Sequence, residues 1–221
     1  PILAGVDMLR HLVTEDGRLR RTLEIIDRNA RLQARLVNDL LDLSRVARGK
    51  IELRCVPVAL DTIVRSAIQG QQSDLADARL SLHVDLQSGL WVNGDADRLQ
   101  QVVMNLLSNA IKFTPAGGEI RVSCRAQDPG HARIVVEDTG IGIAPEQLPR
   151  LFRMFEQGKM DKHKGAGMGI GLALVKALVE RHGGSVTAES EGPGKGSRFT
   201  VELSLIPAPE TASADNRLQQ A

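Results

Sequence analysis

The sequence has few aromatic residues and almost no net charge. Only 2% of its 221 residues are aromatic, with no tyrosine and one tryptophan. Few side chains are therefore available to stack on nucleic-acid bases or to form an aromatic cage around a ligand. The formal net charge is +1, from 28 basic and 27 acidic residues, which gives no electrostatic footprint for nucleic acid. We therefore expect no nucleic-acid partner.

Cysteines and long apolar runs are also scarce. Cys55 and Cys124 are isolated, without a C-x-x-C pattern or a histidine at metal-ligand spacing, which predicts reduced thiols and no structural zinc site. No apolar run approaches the roughly 18 residues of a transmembrane helix, and no signal peptide is visible. We expect a cytoplasmic chain without membrane contact. Because it begins with Pro1, we also expect it to be part of a longer protein, which could be membrane-anchored upstream.

The first 48 residues have a helical pattern. Residues 1–13 resemble the end of a helix and 14–17 a turn, and in 18–47 apolar residues recur at threes and fours. A helix of that length would extend about 45 Å and could not bury its apolar stripe on itself. We predict an antiparallel hairpin that forms a homodimeric four-helix bundle through residues 1–48. The alternative is that the hairpin packs on the rest of its own chain.

Residues 49–206 alternate strand-like and helical segments, which predicts an α+β domain. Strand-like runs are 51–60, 80–86, 119–126, 132–138, 184–190 and 197–205, and helical segments start at Asp61, Asp95, Pro145 and Met168. Asp61 and Asp95 are predicted helix N-caps. A turn at 128–130 is expected to join the runs 119–126 and 132–138, and the last two runs are expected to form a strand pair. Residues 139–167 are rich in glycine, and 207–221 form a polar linker or disordered tail.

The glycine clusters do not fit the common phosphate-binding templates. The lysine in G-P-G-K-G-S at 192–197 is followed by glycine, and no helix opens there, so the P-loop pattern fails. The dinucleotide-binding pattern fails as well, because Leu172 stands where the third glycine is required.

Four other segments occur in a fixed order. They are N-L-L-S-N-A-I-K at 105–112, D-T-G-I-G-I at 138–143, L-F-R-M-F-E at 151–156 and G-M-G-I-G-L at 167–172. Together they resemble the N, G1, F and G2 boxes of sensor histidine kinases, within the wider ATP-binding superfamily that includes gyrase, the Hsp90 chaperone and MutL. The resemblance covers about residues 1–205. It implies that the second domain is a two-layer α/β sandwich that binds Mg-ATP.

The N-box segment suits that function chemically. Asn105, Asn109 and Lys112 lie at i, i+4 and i+7 and share one helical face. The amide oxygen of Asn109 can complete the coordination of Mg²⁺ beside triphosphate oxygens, and Lys112 can offset phosphate charge. A polar face that is only solvated remains the alternative.

The G1-box segment suits adenine. The carboxylate of Asp138 can accept a hydrogen bond from the exocyclic amine of adenine, and such a site would reject guanine, which carries a carbonyl there. Gly140 and Gly142 let the backbone approach the ring closely. By the resemblance, Asp138 is the adenine-binding residue. The alternative is an Asp-Thr-Gly turn without a ligand.

Further candidate residues lie between the G1 box and the following helix. They are Phe152, Phe155, Gly167, Gly169, Gly171 and Leu172. The three glycines precede or open a helix, so free backbone amides and the positive end of the helix dipole can face a triphosphate. The two phenylalanines form a small hydrophobic anchor for the glycine-rich lid. In the family this box couples the lid to the nucleotide state and to the helical bundle.

Two features concern the reaction. The ATP-hydrolysing relatives carry a glutamate one turn before the Mg²⁺-binding asparagine, but Asn105 stands there and no carboxylate occurs between Asp97 and Glu119. This favours transfer to a protein acceptor over hydrolysis. None of the five histidines stands in the acceptor motif H-E-x-x-[NT]-P of the family. We expect the acceptor about two helical turns before Pro1.

The sequence therefore predicts a histidine protein kinase core with a dimerisation hairpin at 1–48 and an ATP-binding domain at 49–206. Its γ-phosphate acceptor would be a histidine of the dimerisation helix, and the phosphate would be relayed to an aspartate of a response-regulator receiver domain. The alternatives are a nucleotide-sensing dimerisation module without transfer activity and a hydrolase.

Overall fold

The structure, a computed structural model, describes residues 52–128, 130–154 and 169–209, together with individual positions between residues 19 and 42. The chain divides into two compact units, Pro1–Ile51 and Glu52–Ala221. The predictions for residues 1–18, for 155–168 and for the tail from 210 concern residues outside the described part.

The first unit is helical at every described position, as the periodicity predicts. Leu23 is buried, whereas Leu19, Ile26 and Val37 are 45%, 42% and 57% exposed. In an ideal helix of 3.6 residues per turn, the exposed three lie within about 20° of one another around the helix axis, and so on one face. The unit thus carries an exposed apolar stripe. Among the described residues of the chain, no helix is both long and apolar enough to cross a bilayer.

The second unit contains seven strands and four α-helices among its described residues. The strands are β1 (Val56–Ala59), β2 (Ser81–Leu86), β3 (Trp91–Gly94), β4 (Glu119–Asp128), β5 (His131–Asp138), β6 (Ser185–Glu189) and β7 (Ser197–Ser204). The helices are α1 (Leu60–Gly70), α2 (Gln72–Ala78), α3 (Ala96–Phe113) and α4 (Gly171–Arg181). The α+β class is as predicted.

The main sheet is mixed. Its order is β2-β4-β5-β7-β6, with β2 parallel to β4 and the other pairs antiparallel. The β4–β5 and β6–β7 pairs were expected from the sequence. Strands β1 and β3 form a separate antiparallel pair, and β3 also bridges to Ile206.

One face of the main sheet forms the core with the helices. Alternate residues of the central strands are buried, for example Ile120 and Val122 of β4 and Ile134 and Val136 of β5. Helix α3 packs on β5 and helix α4 packs on β6, and both helices contribute fully buried leucines, including Leu106 and Leu174. The residues between them point to the other face, which carries exposed ion pairs such as Arg125–Asp85. This is a two-layer arrangement.

Three local expectations were wrong. Helix α1 begins at Leu60 with Ala59 as an N-cap that makes no side-chain hydrogen bond, so Asp61 is in the first turn. The reason is that β1 runs directly into the helix. The expected helix near 145–155 is reduced, within the described residues, to a 3₁₀ turn at Leu148–Arg150 with proline in its first turn. The strand expected at 51–60 is limited to β1, and β3 was missed.

Asp95 caps α3 as predicted. Its Oδ1 accepts from the Arg98 N–H at 3.2 Å, and its Oδ2 accepts from the Arg54 N–H at 3.0 Å. Partial burial by itself would raise the pKa of the Asp95 carboxyl, but these two backbone donors, with the Arg98 charge, outweigh it and hold that pKa below its ordinary range. The carboxylate thus joins the start of the domain to the start of α3.

Replacing Asp95 by alanine is expected to lower the free energy of unfolding by about 0.5–2 kcal/mol at neutral pH. Because the folded-state pKa lies below the unfolded value, the carboxylate stabilises the fold above its unfolded pKa and loses that effect as pH falls through the folded-state pKa. The stability difference from the wild type should therefore shrink towards about pH 3 in urea titrations. Asp97→Ala, which changes an exposed first-turn residue, is the control. A difference that is constant with pH would contradict the capping role.

Candidate functional site

Helix α3 presents three polar side chains beside its buried apolar face. Asn105, Asn109 and Lys112 keep the spacing i, i+4 and i+7, and each is half-buried. Burial disfavours the charged form of the Lys112 amine and lowers its pKa. This face is therefore more enclosed than the polar side of an ordinary surface helix.

The side-chain amide of Asn105 lacks a partner. Its Nδ2 is buried and has no hydrogen-bond acceptor among the described residues. A Cβ placed on Gly171 would lie 3.8 Å from the Asn105 Cγ and Oδ1, so this amide is next to the first residue of α4. An unsatisfied buried donor costs about 1–3 kcal/mol, so its presence beside a helix N-terminus fits a site whose ligand supplies an acceptor.

Asp138 ends β5 with its carboxylate held in place. Its Oδ1 accepts from the Gly140 N–H at 2.8 Å, and its Oδ2 accepts from the Ser197 hydroxyl. Gly140 packs closely, because a Cβ there would lie 2.5 Å from the Phe113 carbonyl oxygen. The same carbonyl accepts from the Ile141 N–H at 3.1 Å. The loop that follows Asp138, residues 139–143 and called the G1 loop below, is thus hydrogen-bonded and packed against the end of α3.

The other side of the G1 loop contacts the loop between β6 and β7. Gly142 has φ +68°, and a Cβ there would lie 2.0 Å from the Gly192 carbonyl oxygen. The Gly194 N–H donates to the Ile141 carbonyl at 2.6 Å, and the Gly196 N–H donates to the Gly140 carbonyl at 3.1 Å. The two loops therefore pack backbone against backbone.

Helix α4 begins directly beside this region. Gly169 has φ +67°, and the N-cap residue Ile170 makes no side-chain hydrogen bond, so no side chain caps the first turn. Leu172 is half-buried. Of the remaining candidates, Phe152 is half-buried in the turn after the 3₁₀ helix, whereas Phe155 and Gly167 lie outside the described residues.

The segment that carries these residues matches a known family. Residues 94–207 match the family described as "Histidine kinase-, DNA gyrase B-, and HSP90-like ATPase". The chain belongs to this family.

Its relatives are histidine kinases. Histidine protein kinase DivJ of Caulobacter vibrioides is 38% identical over 179 residues, which cover 80% of this chain and 30% of DivJ. Sensor histidine kinase RppB of Synechocystis sp. is 33% identical over 211 residues, covering 94% of this chain and 46% of RppB. The chain thus spans less than half the length of both. Among solved structures, full-length ShkA in complex with AMPPNP has a TM-score of 0.75 and 28% identity, covering 94% of this chain and 43% of that one. These similarities identify a sensor histidine kinase catalytic core.

The sequence interpretation missed two serines of the histidine kinase core. Ser197 lies opposite Asp138 in the β5–β7 pairing and donates to its carboxylate. Ser190 accepts from the Ile143 N–H at 3.0 Å and donates to the Gly196 carbonyl at 2.6 Å. Ser190 precedes the 192–197 glycine cluster and Ser197 is its last residue; the cluster was set aside because it failed the P-loop template. The signal that could have found them is the pairing of β7 with β5.

Phe113 was also missed. It is the last residue of α3, its ring is 42% exposed, and the Lys112 Nζ lies 4.9 Å from the ring centroid. An exposed aromatic ring beside a lysine, at the point where α3 meets the G1 loop, offers an apolar face and a positive charge together.

A cleft of about 450 Å³ is lined in part by Asp138 and Ser197, but none of the three polar residues of α3 lines it. Its walls carry ion-paired side chains of the outer sheet face, such as Glu119–Arg121 at 3.0 Å and Glu137–Arg198. We regard it as a solvated corner of that face, because the paired charges already satisfy one another. The site proper is where α3, the G1 loop and α4 meet.

Proposed function

We propose that this core binds Mg-ATP between α3, the G1 loop and the N-terminus of α4, and transfers the γ-phosphate to a histidine. The observation that carries the proposal is the buried, unpartnered Asn105 amide beside Gly171. The acceptor would be a histidine outside the 221 residues, since none of the five present stands in the family's acceptor motif.

Adenine recognition is assigned to Asp138. Ser197 and Gly140 fix the orientation of its carboxylate, and its remaining lone pairs can accept from the exocyclic amine. Guanine would present a carbonyl oxygen to this acceptor and be rejected. The exposed ring of Phe113 supplies a surface for base stacking, which is worth about 1–3 kcal/mol per base elsewhere.

The phosphates are assigned to α3 and α4. Lys112 offsets phosphate charge, Asn105 donates from its buried amide, and the uncapped first turn of α4 presents backbone N–H groups. Asn109 contributes an amide oxygen to Mg²⁺, which when bound neutralises charge on the phosphates. The described residues include no cluster of three or more histidine, cysteine, aspartate or glutamate side chains at metal-binding distance, which fits a magnesium ion held mainly by phosphate and water.

The partners are also proposals. The apolar stripe of Leu19, Ile26 and Val37 would pair with a second copy to form a homodimeric four-helix bundle through residues 1–48. The phosphate would pass to an aspartate of a response-regulator receiver domain. We place the protein in the cytoplasm, where ATP and such receivers are available.

Extending the chain by about 15 of the residues that precede Pro1 in its gene product, which is about four helical turns, should allow labelling by γ-labelled ATP. The label is expected to be acid-labile, as a phosphohistidine is, and to depend on Mg²⁺. The 221-residue chain itself is the control and should bind ATP without becoming labelled.

The two alternatives give different results in the same assay. A nucleotide-sensing module would bind ATP and stay unlabelled even after extension. A hydrolase would release phosphate steadily from the 221-residue chain alone. Either result would overturn the kinase assignment.

A further inference from the structure

We propose that His182 is a positioning residue of the nucleotide site, because its ring fixes the register of α4 against α3 and so places Gly171 beside Asn105. This inference rests on the proposed nucleotide site, but it concerns the C-cap residue of α4, which lies beside the N-cap of α3.

The imidazole of His182 makes two hydrogen bonds in different directions. Its Nε2 accepts from the Asp95 backbone N–H at 3.0 Å, and its Nδ1 lies 2.8 Å from the Leu178 carbonyl oxygen. A carbonyl can only accept, so Nδ1 carries the proton, and a backbone N–H can only donate, so Nε2 carries none. The geometry therefore requires a neutral ring with the proton on Nδ1.

This arrangement differs from the expectation for a histidine at a helix C-terminus. His182 is the C-cap residue of α4, where a protonated ring would be favoured by the helix dipole. A charged ring would turn a second N–H towards the Asp95 N–H. The ring thus serves as a neutral link between two segments rather than as a positive charge at a helix end.

The His182–Asp95 hydrogen bond joins the C-terminal end of α4 to the N-terminal end of α3, whereas Gly171 begins α4 beside the middle of α3. Asn105 is ten residues beyond Asp95, and Gly171 is eleven residues before His182, so both lie about 15 Å along their helices from the link. The helices pack against each other between these ends. A slip of one residue along α4 would move Gly171 by about 1.5 Å relative to Asn105.

The surroundings are shaped to admit the ring. A Cβ on Gly94 would lie 3.1 Å from the His182 Cδ2 and 2.7 Å from the Leu99 Cδ1, so a side chain there would crowd both the ring and Leu99. The Asp95 carboxylate is already occupied by the Arg54 and Arg98 N–H groups. Removing the imidazole would therefore leave the Asp95 N–H without its acceptor.

Two conservative variants separate the two hydrogen bonds. His182→Gln places an amide oxygen near the position of Nε2 and can keep the bond from Asp95, whereas His182→Asn places its amide near Nδ1 and can keep only the bond to Leu178. His83→Asn, at an exposed position of β2 on the outer sheet face, is the matched control. All are made in the 221-residue chain.

Two readouts are needed. Nuclear Overhauser contacts between the Asn105 side-chain amide and the Gly171 Hα report the register without any nucleotide, and calorimetry with Mg-AMPPNP reports affinity. We expect His182→Asn to lose the contact and to bind about fivefold or more weakly, because the register that places Gly171 beside Asn105 is then less populated. His182→Gln and His83→Asn should keep the Overhauser contact, and their affinity for Mg-AMPPNP should stay within about twofold of the wild type, which is less than 0.5 kcal/mol.

The outcomes are distinct. If His182→Asn lowers the thermal midpoint but keeps the contact and the affinity of the folded protein, His182 only stabilises the domain and the inference is overturned. The inference is also overturned if His182→Gln and His182→Asn change the Overhauser contact and the affinity to the same extent. If the wild type binds no nucleotide, the proposed function fails, and the Overhauser contact still decides the role of His182.

Discussion

Asp138→Asn is expected to weaken binding of adenine nucleotides by about 1–3 kcal/mol, which is a factor of about 5 to 150 in the dissociation constant. In the wild type both carboxylate oxygens accept hydrogen bonds within the fold, from Gly140 and Ser197. An asparagine amide nitrogen must then face one of these donors or the exocyclic amine of adenine. Facing Gly140 or the exocyclic amine, the nitrogen sets a donor against a donor. Facing Ser197, it makes the hydroxyl turn and accept, and it still presents a donor in place of a carboxylate oxygen that could accept from adenine.

Calorimetry with Mg-AMPPNP and the guanine analogue measures this effect. Asp85→Asn is the control, because Asp85 is an exposed carboxylate of β2 whose partner, Arg125, lies on the outer sheet face. The wild type should prefer the adenine nucleotide, and the Asp138 variant should lose most of that preference. Unchanged affinity, or an unchanged ratio between the two bases, would refute the assignment of Asp138 to adenine.

The parts of the fold that sequence predicts well are those with local causes. Asp95 was recognised as an N-cap because a cap and its helix are neighbours in sequence, and the β4–β5 hairpin because its strands alternate on either side of a short turn. The same locality explains why the i, i+4 and i+7 face of α3 could be read directly from Asn105, Asn109 and Lys112.

The features that could not be predicted from the sequence depend on pairing between segments that are distant in the chain. Strand β3 has only four residues, including asparagine and glycine, and its strand geometry comes from pairing with β1 and bridging to Ile206. Ser197 gains its role because β7 pairs with β5 rather than only with its neighbour β6. The hydrogen bond between His182 and Asp95 likewise joins residues 87 positions apart in sequence. No periodicity within one segment encodes such contacts.

Gly142→Ala is expected to lower the free energy of unfolding by about 3 kcal/mol or more, because two costs add. Gly142 has φ +68°, where an L-residue costs about 1–2 kcal/mol. In addition, the new Cβ would lie 2.0 Å from the Gly192 carbonyl oxygen, and neighbouring backbone must move to admit it. Because this backbone is hydrogen-bonded to the G1 loop, the shift should also reduce nucleotide affinity.

Gly194→Ala separates the two costs. Gly194 has φ +78° but no atom within 4 Å of its Cβ position, so it carries the backbone cost alone, about 1–2 kcal/mol. Denaturant unfolding and nucleotide calorimetry on both variants should therefore show a larger loss for Gly142 in each measurement. Equal losses would mean that only the positive φ of each glycine matters and that the contact between the two loops can relax to admit a Cβ. A larger loss at Gly142 would mean that this contact holds the G1 loop, and with it Asp138, in the geometry on which adenine recognition depends.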